Sequence, residues 1–480
     1  MSEILARAQY GRLTDPPASF LLTGVRLVDP SDGRDAVADL AVVGGQIVDS
    51  AAAGDLPSDV PLVDGRGLVA APGLCDLHTH LREPGRAPGE TVASGARAAA
   101  HGGYTTVCAM PNTDPPLDEA ARVAYVSTLA RDAAARVRVI AATTRGRAGQ
   151  ELTDTAEIPA QGAVGFSDDG AALPTARLVR SALLALAPLG LPLIEHAEES
   201  SLADGTLMRS GAIATRLGLA GWPPAAELII VERDIALAEE TGGWLHLTHL
   251  STAAALDAVH RAKDRGVHVT CDVTPHHLAL TDAWVGGDRA FSWQEPDEAS
   301  VGTDPFGATL DAGLAYDGSC RVNPPLPARA DALALLAGVA DGTVDAIATD
   351  HAPHPPERTA VEFPAASPGM IGLETALSVG LAVVEAGCLT LGQLLAALSL
   401  KPAALIGEER GLAAGSTADL VVFDPTSQWT VSRQTLASQS TNTPLLGMTL
   451  PGVVRLTVAD GRITFHDGLL EEPRTAPHRM

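Results

Sequence analysis

Lysine is nearly missing from this chain. Of 33 basic residues in 480, only Lys263 and Lys401 are lysines, so chemistry that depends on a lysine amine has two positions open to it. A surplus of positive charge is missing too: 58 acidic residues leave a formal charge of −25, which repels nucleic acid and anionic membrane surfaces alike. No apolar run is long enough to span a bilayer. The most apolar stretch, Ser181 to Ile194, is short and contains Pro188, Gly190 and Pro192. Met1 to Leu13 carry no apolar core segment of the signal-peptide kind. Cysteine is scarce and scattered (Cys75, Cys108, Cys271, Cys320, Cys388), odd in number and without a C-x-x-C pair. That usage belongs to a reducing compartment and places the protein in the cytoplasm.

What is present is an ordinary supply of core, 46% hydrophobic against 19% charged residues. From about Gly73 to Ala404, β-rich runs alternate with Ala/Leu-rich segments of helical period. Strands are expected at Leu74–His80, Thr105–Met110, Val137–Ala142, Val164–Ser167, Pro192–His196, Trp244–His249, Val267–Val273 and Ala346–Asp350. Helical candidates between them include Glu90–Ala100, Asp118–Ala134, Thr175–Ala187, Ala225–Glu240, Thr252–Arg265 and Arg329–Ala340. Eight such units point to an α/β fold, a (β/α)8 TIM-like barrel, with a doubly wound sheet as the alternative. The flanks instead show short strand-like runs separated by Gly/Asp turns, each flank too small to bury a sheet face alone. They are expected to join into one small β domain, giving boundaries at 1–72, 73–405 and 406–480. The Gly/Asp/Glu-rich stretch 282–319 interrupts the barrel as a lid or a surface insertion.

The densest chemical signal is Asp76-Leu-His78-Thr-His80-Leu-Arg82 at the end of the first run. In a strand, residues i and i+2 share a face, so His78, His80 and Arg82 are expected to project together. Two imidazoles make a clamp for a divalent metal, and the guanidinium can hold a carboxylate. Barrel sites form at the C-terminal ends of strands, and those ends carry His78, His80, Asp168-Asp169, His196, His249 and Asp350-His351. His101, His260 and His268 are expected on surfaces, and His466 and His478 near the terminus. His246, three residues before His249, is expected on the opposite strand face in a structural role. His276 and His277 are expected to shape the site without ligating.

These segments resemble the amidohydrolase superfamily and, closely, the type I dihydroorotases. The matching runs are D-L-H-T-H-L-R-E-P-G (76–85), A-M-P-N-T (109–113), G-F-S-D-D-G (165–170), E-H-A-E (195–198), H-L-T-H-L-S-T (246–252), V-T-P-H-H-L (273–278), R-V-N-P-P-L (321–326), A-T-D-H-A-P-H (348–354) and G-L-E-T (372–375). The resemblance implies one or two Zn2+ ions held by His78, His80, Asp169, His196, His249 and Asp350, with Arg82, Asn112, Asn323 and His354 on the substrate. It implies reversible hydrolysis of dihydroorotate to N-carbamoyl-L-aspartate in pyrimidine biosynthesis, with Asp350 as the catalytic proton shuttle. A homo-oligomer and association with aspartate transcarbamoylase are implied as well. Two departures stand out: the 282–319 insertion, and Ser367-Pro-Gly369 where the family has Pro-Phe-Gly.

Related cyclic amidohydrolases, the hydantoinases, dihydropyrimidinases and allantoinases, bridge two metals through a carboxylated lysine. Here Lys263 lies in a helical pattern and Lys401 opens a later helix, so the bridge is expected from Asp169. A non-catalytic scaffold for aspartate transcarbamoylase is the reading from another class. Such chains lose metal ligands, and all six are present.

Overall fold

The computed structural model describes residues 7–49, 60–85, 89–294 and 313–471. Eight parallel strands form one sheet: β1 (Leu74–Thr79), β2 (Tyr104–Ala109), β3 (Arg136–Ala142), β4 (Ala163–Ser167), β5 (Leu193–Glu195), β6 (Leu245–Leu247), β7 (Val269–Val273) and β8 (Ala346–Ile347). The sheet closes on itself. Thr79 bridges His351 in parallel, the His80 N–H donates to the His351 carbonyl at 2.8 Å, and Asp76 accepts the Thr349 N–H at 2.9 Å. Closure settles the choice between barrel and doubly wound sheet.

The helices around the barrel start where the sequence supplies a cap. Thr91, Thr175 and Thr252 each accept an N–H of the first turn, opening Val92–His101, Ala176–Leu186 and Ala253–Asp264. Ala225–Thr241 and Arg329–Asp341 both end at a left-handed glycine, Gly242 and Gly342. Inside the barrel, Leu77, Cys108, Met110, Ile140, Ile194, Ala346 and Ala348 form an apolar plug, with Leu405 and Ile406 packed against it. The polar residues of the barrel mouth gather above that plug.

Both chain ends build the second sheet. Val69–Pro72 lies antiparallel to Leu420–Phe423, joining N-terminal strands that include Phe20–Asp29 and Arg34–Val43 to the C-terminal hairpin Thr449–Ala459/Arg462–His466. The small β domain is therefore shared between the ends, as the short flanking runs imply.

Several expectations need correction. β5, β6 and β8 are shorter than read, because the chain leaves extended geometry before the functional residues: His249 has φ +42° and Asp350 φ +47°. Arg82 (φ +62°) lies beyond the end of β1, so strand alternation is not what aims it. His246 is not on the opposite face from His249. It points into the barrel, where its Nε2 lies 2.8 Å from Asp272, and the left-handed turn at His249 brings that ring inward as well. His101 is not a surface residue. Its Nδ1 lies 2.7 Å from Glu374, and its ring packs on Phe465. Of the insertion, a turn of helix at Asp282–Gly286 and another at Gly318–Cys320 are seen, while 295–312, like His478, lie outside the described residues.

One buried histidine ties the barrel to the loop that carries Asn323. In the short helix Pro275–Ala279, the Thr274 hydroxyl donates to His277 Nδ1 (2.9 Å), and His277 Nε2 donates to the Pro324 carbonyl (3.0 Å). Both bonds use the neutral ring, and burial pushes His277 down to about 4. Its usual value is about 6.5, so between 6.5 and 4 the unfolded chain binds a proton that the folded chain does not. This part of the stability is complete above 6.5 and falls by at most about 1.4 kcal/mol per pH unit on acidification. Denaturant melts should show His277→Gln less stable than the parent at pH 7.5, but losing less stability between pH 7 and 4.5.

Candidate metal centre

Six polar side chains from five strand ends converge at the barrel mouth, all of them buried: His78, His80, Asp169, His196, His249 and Asp350. His78 Nε2 lies 3.3 Å from His80 Nε2, and His80 Nε2 lies 2.9 Å from Asp350 Oδ1. On the other side His196 Nδ1 lies 2.9 Å from His249 Nε2. Asp169 stands between the halves. Its Oδ2 is 3.4 Å from His78 Nε2 and 3.7 Å from His80 Nε2, and its Oδ1 is 3.4 Å from His249 Nε2 and 3.8 Å from His196 Nδ1.

The outer nitrogens show which atoms are free to ligate. The His80 Nδ1–H donates to Asn112 Oδ1 at 2.8 Å, which leaves Nε2 as a bare lone pair in the neutral ring. His78 Nδ1 is likewise engaged, with Thr248 Oγ1 at 2.9 Å. Lone pairs of His78, His80 and Asp350 thus face one another at contact distance. Such an arrangement is repulsive unless a positive charge lies among them. Asp169 Oδ1 is moreover a buried acceptor with no hydrogen-bond donor among the described residues. Nitrogen and carboxylate donors in two groups, His78/His80/Asp350 and His78/Asp169/His249, suit a divalent transition metal. The residues present fit such a group.

Electrostatics point the same way. Burial alone would raise both carboxyls, but His78, with His249 and His80, holds Asp169 well below the usual carboxylate range; His78 and His80 hold Asp350 low too. Burial should depress His78, yet Asp169 and Asp350 outweigh it and lift that ring to about 10. Two ionised carboxylates in a dry mouth demand cationic charge, from a proton or from a metal.

A cavity of about 300 Å³ opens above the cluster, lined by His80, Asn112, Asn323, Arg82, His354 and the 367–369 segment among others. All four residues expected on the substrate lie on this wall, though two are also engaged beside the cluster. Asn112 holds His80, with its amide 3.4 Å from Asp169, and the Asn323 amide lies 3.4 Å from His196 Nε2 and from Glu198. Arg82 uses Nε on the Pro353 carbonyl (3.3 Å), leaving both terminal nitrogens without a partner among the described residues. Burial lowers its guanidinium to about 10, still charged at neutral pH. The His354 Nε2–H donates to the Pro368 carbonyl at 2.9 Å. The Pro-Phe-Gly departure therefore stays on the cavity wall. Gly369 (φ +132°) is required there, since a Cβ would sit 2.7 Å from that of Ala352.

Four contributors escaped the sequence reading. Arg358 lines the cavity although it falls in none of the matching runs. Asn442, from the C-terminal flank, clamps the wall: it accepts the His354 N–H (3.1 Å) and donates to the Ala352 and Gly369 carbonyls (both 2.9 Å). Thr248 lies inside a quoted motif, yet the motif gives no hint that its hydroxyl meets His78. Asp272 immediately precedes V-T-P-H-H-L and makes no contact with the cavity. Both lysines lie at the other end of the barrel. Lys263 Nζ is 2.5 Å from Asp345, and Lys401 Nζ is 3.4 Å from the Val344 carbonyl, both at the start of β8.

Known proteins agree with this geometry. Residues 67–255 match the sequence model of a family described as dihydro-orotase-like. A dihydroorotase of Anaeromyxobacter sp. (strain K) is 45% identical over 453 residues, covering 94% of this chain and 98% of that protein. A dihydroorotase of Geobacter sp. (strain M21) is 39% identical over 452 residues, covering 94% of this chain and 100% of its own. Among solved structures, an L-hydantoinase (dihydropyrimidinase) from Arthrobacter aurescens superposes with TM-score 0.77 at 23% identity, over 93% of this chain and 96% of its own. A dihydropyrimidinase from Brevibacillus agri NCHU1002 gives 0.72 at 22% identity, over 94% and 95%. At that identity the likeness is one of fold, a barrel with its accompanying β domain. Strand-end histidines and aspartates, a lysine-free mouth and relatives matched over nearly their whole length converge: the chain belongs to the dihydroorotase family of metal-dependent cyclic amide hydrolases.

Proposed function

We propose that this chain interconverts dihydroorotate and N-carbamoyl-L-aspartate, with zinc at a centre held by His78, His80, Asp169, His196, His249 and Asp350. The observation that carries the reading is Arg82, a guanidinium with two free terminal nitrogens on the wall of the same cavity. Dihydroorotate presents a ring amide and a carboxylate, and the cavity presents a partner for each. Hydantoin and dihydrouracil have the amide but no carboxylate, so they leave Arg82 unpaired.

A divalent cation among these side chains supplies acidification of a water at neutral pH and polarisation of the carbonyl under attack. The protein does the rest. Arg82, with the Asn112 amide and the neutral His354, grips the carboxylate and fixes the ring at attack distance. Asp350, held ionised, takes a proton from the attacking water. The ring amide C–N bond then breaks, and Asp350 delivers that proton to the leaving nitrogen. The water oxygen stays in the new carboxylate, whose own proton goes to solvent. Asp169, facing both halves of the cluster, would hold the cation in place of a carboxylated lysine.

The activity belongs to pyrimidine nucleotide synthesis, and its setting is the cytoplasm. The five cysteines are free, and no helix among the described residues is long and apolar enough to cross a membrane. A homo-oligomer that docks aspartate transcarbamoylase is part of the same reading and follows from the family resemblance.

Purified protein given dihydroorotate, allantoin, hydantoin and dihydrouracil in parallel should turn over dihydroorotate far faster than the rest. Preference for any of the others overturns the assignment. Arg82→Met should lower kcat/KM by orders of magnitude while bound zinc, measured by elemental analysis, stays unchanged; metal loss would make Arg82 structural. Closure to dihydroorotate consumes a proton, so acid should drive the equilibrium toward the ring and alkali toward the open form, read directly from end-point ratios. For the bridge, metal-stripped protein should regain full activity with zinc in bicarbonate-free buffer. Asp169→Ala should lose zinc sharply. Asp168→Asn should chiefly lose stability, because Asp168 accepts the Thr144 N–H and hydroxyl. A bicarbonate requirement, or zinc loss at Asp168 instead, assigns the bridge elsewhere.

A further inference from the structure

A one-way chain of hydrogen bonds runs from the lower barrel to the metal centre. Trp244 Nε1 can only donate, and it donates to Thr270 Oγ1 at 2.9 Å. The Thr270 proton is then free for His246 Nδ1, 2.9 Å away, so the neutral His246 ring carries its own proton on Nε2. That proton goes to Asp272 Oδ2 at 2.8 Å. A carboxylate only accepts, so Thr248, 3.1 Å from the same oxygen, is a donor to it. The Thr248 oxygen is thereby left to accept from His78 Nδ1 at 2.9 Å. The other Asp272 oxygen accepts the backbone N–H of His249 at 2.7 Å, at the residue whose left-handed φ turns its ring into the mouth. His246, Thr248 and Asp272 are all buried.

We propose that Asp272 is a positioning residue for the metal centre, acting through the Thr248 hydroxyl to fix the His78 tautomer and directly on the backbone that aims His249. It touches neither substrate nor cavity. One carboxylate outside the cluster thus orients two ligands from strands on different sides of the mouth, β1 and β6. In the neutral rings these bonds run in one direction, and their sum leaves the Nε2 of a neutral His78 as a bare lone pair facing the cluster. Without the Thr248 acceptor, the ring is free to move its proton to Nε2, where it blocks ligation.

The test is at Thr248, since replacing Asp272 disturbs three donors at once. Thr248→Val keeps the shape and removes the hydroxyl, Thr248→Ala does so without the branched methyl, and Thr248→Ser restores it. Zinc affinity is measured by competition with a chromophoric chelator, alongside the melting temperature of the metal-free proteins and the visible spectrum of the cobalt-loaded ones. Loss of the hydroxyl should weaken zinc about 10–100-fold and alter the cobalt spectrum, with serine returning both to the parental values. Zinc affinity within twofold of the parent in the valine and alanine variants overturns the proposal. So does a loss of folded metal-free protein in both, which would make the hydroxyl structural only. The inference rests on the cluster being a metal centre. Parent protein that binds no zinc sinks that reading, whereas parent binding matched by the variants sinks only the role of Asp272.

Discussion

Two ionised carboxylates, Asp169 and Asp350, buried together at the mouth of a barrel, are the constraint that the rest of the structure answers to. An unpaired carboxylate in a dry interior is costly enough that it normally takes up a proton instead. Here four imidazoles surround the pair, and the attraction of His78, His80 and His249 holds both carboxyls low. The apolar plug below, built on Leu77, Met110, Ile140 and Ile194, offers the pair no compensating charge. The charge can then be met only from above or from within, which is how the site comes to want a cation.

Holding that arrangement takes unusual backbone. Arg82, His249 and Asp350 are all non-glycine residues with positive φ, and all three line the cavity. Such conformations cost on the order of 1–3 kcal/mol each and persist only where the surroundings over-determine them. The surroundings here are more buried carboxylates. Asp272 holds the His249 N–H, Asp76 joins His78 N–H to the Thr349 N–H across the barrel seam, and Asp168 joins β4 to Thr144. These acidic residues act on strand ends rather than on the ligand, and each bridges neighbouring strands next to a ligating position.

This division explains what could be read from the sequence. Strand-end histidines and aspartates are legible because β-rich runs mark the strands, and barrel geometry says which end matters. His78, His80, Asp169, His196, His249 and Asp350 follow from that rule and meet in space. Alternation misplaces His246 because it assumes a regular strand, and the strand stops at Leu247 before the chain turns at His249. Arg82 reaches the expected cavity by a different route, through a left-handed turn rather than a shared strand face. Asn442 could not be found from local pattern at all: it acts on Ala352, His354 and Gly369 from 73 to 90 residues away. Contacts of that range depend on how the C-terminal flank folds back over the barrel, which no periodicity encodes.

The same cavity also resolves how so acidic a chain can hold an anionic ligand. Charges beyond about 8 Å are largely screened at physiological salt, so the net −25 carries little weight inside the mouth. What counts there is the wall carrying Arg82 and Arg358, where burial, aided by the positive field of the two guanidinium groups, keeps neighbouring His354 neutral. Arg82 gains little from the protein itself, which offers it one backbone carbonyl and a largely desolvated setting. A ligand carboxylate restores what burial removed. A ring that lacks one leaves the guanidinium unsatisfied and loses twice, in the missing contact and in the stranded charge. Discrimination of that kind comes from a buried polar group left without a partner, and it is far steeper than a hydrophobic pocket can give for a change of similar size.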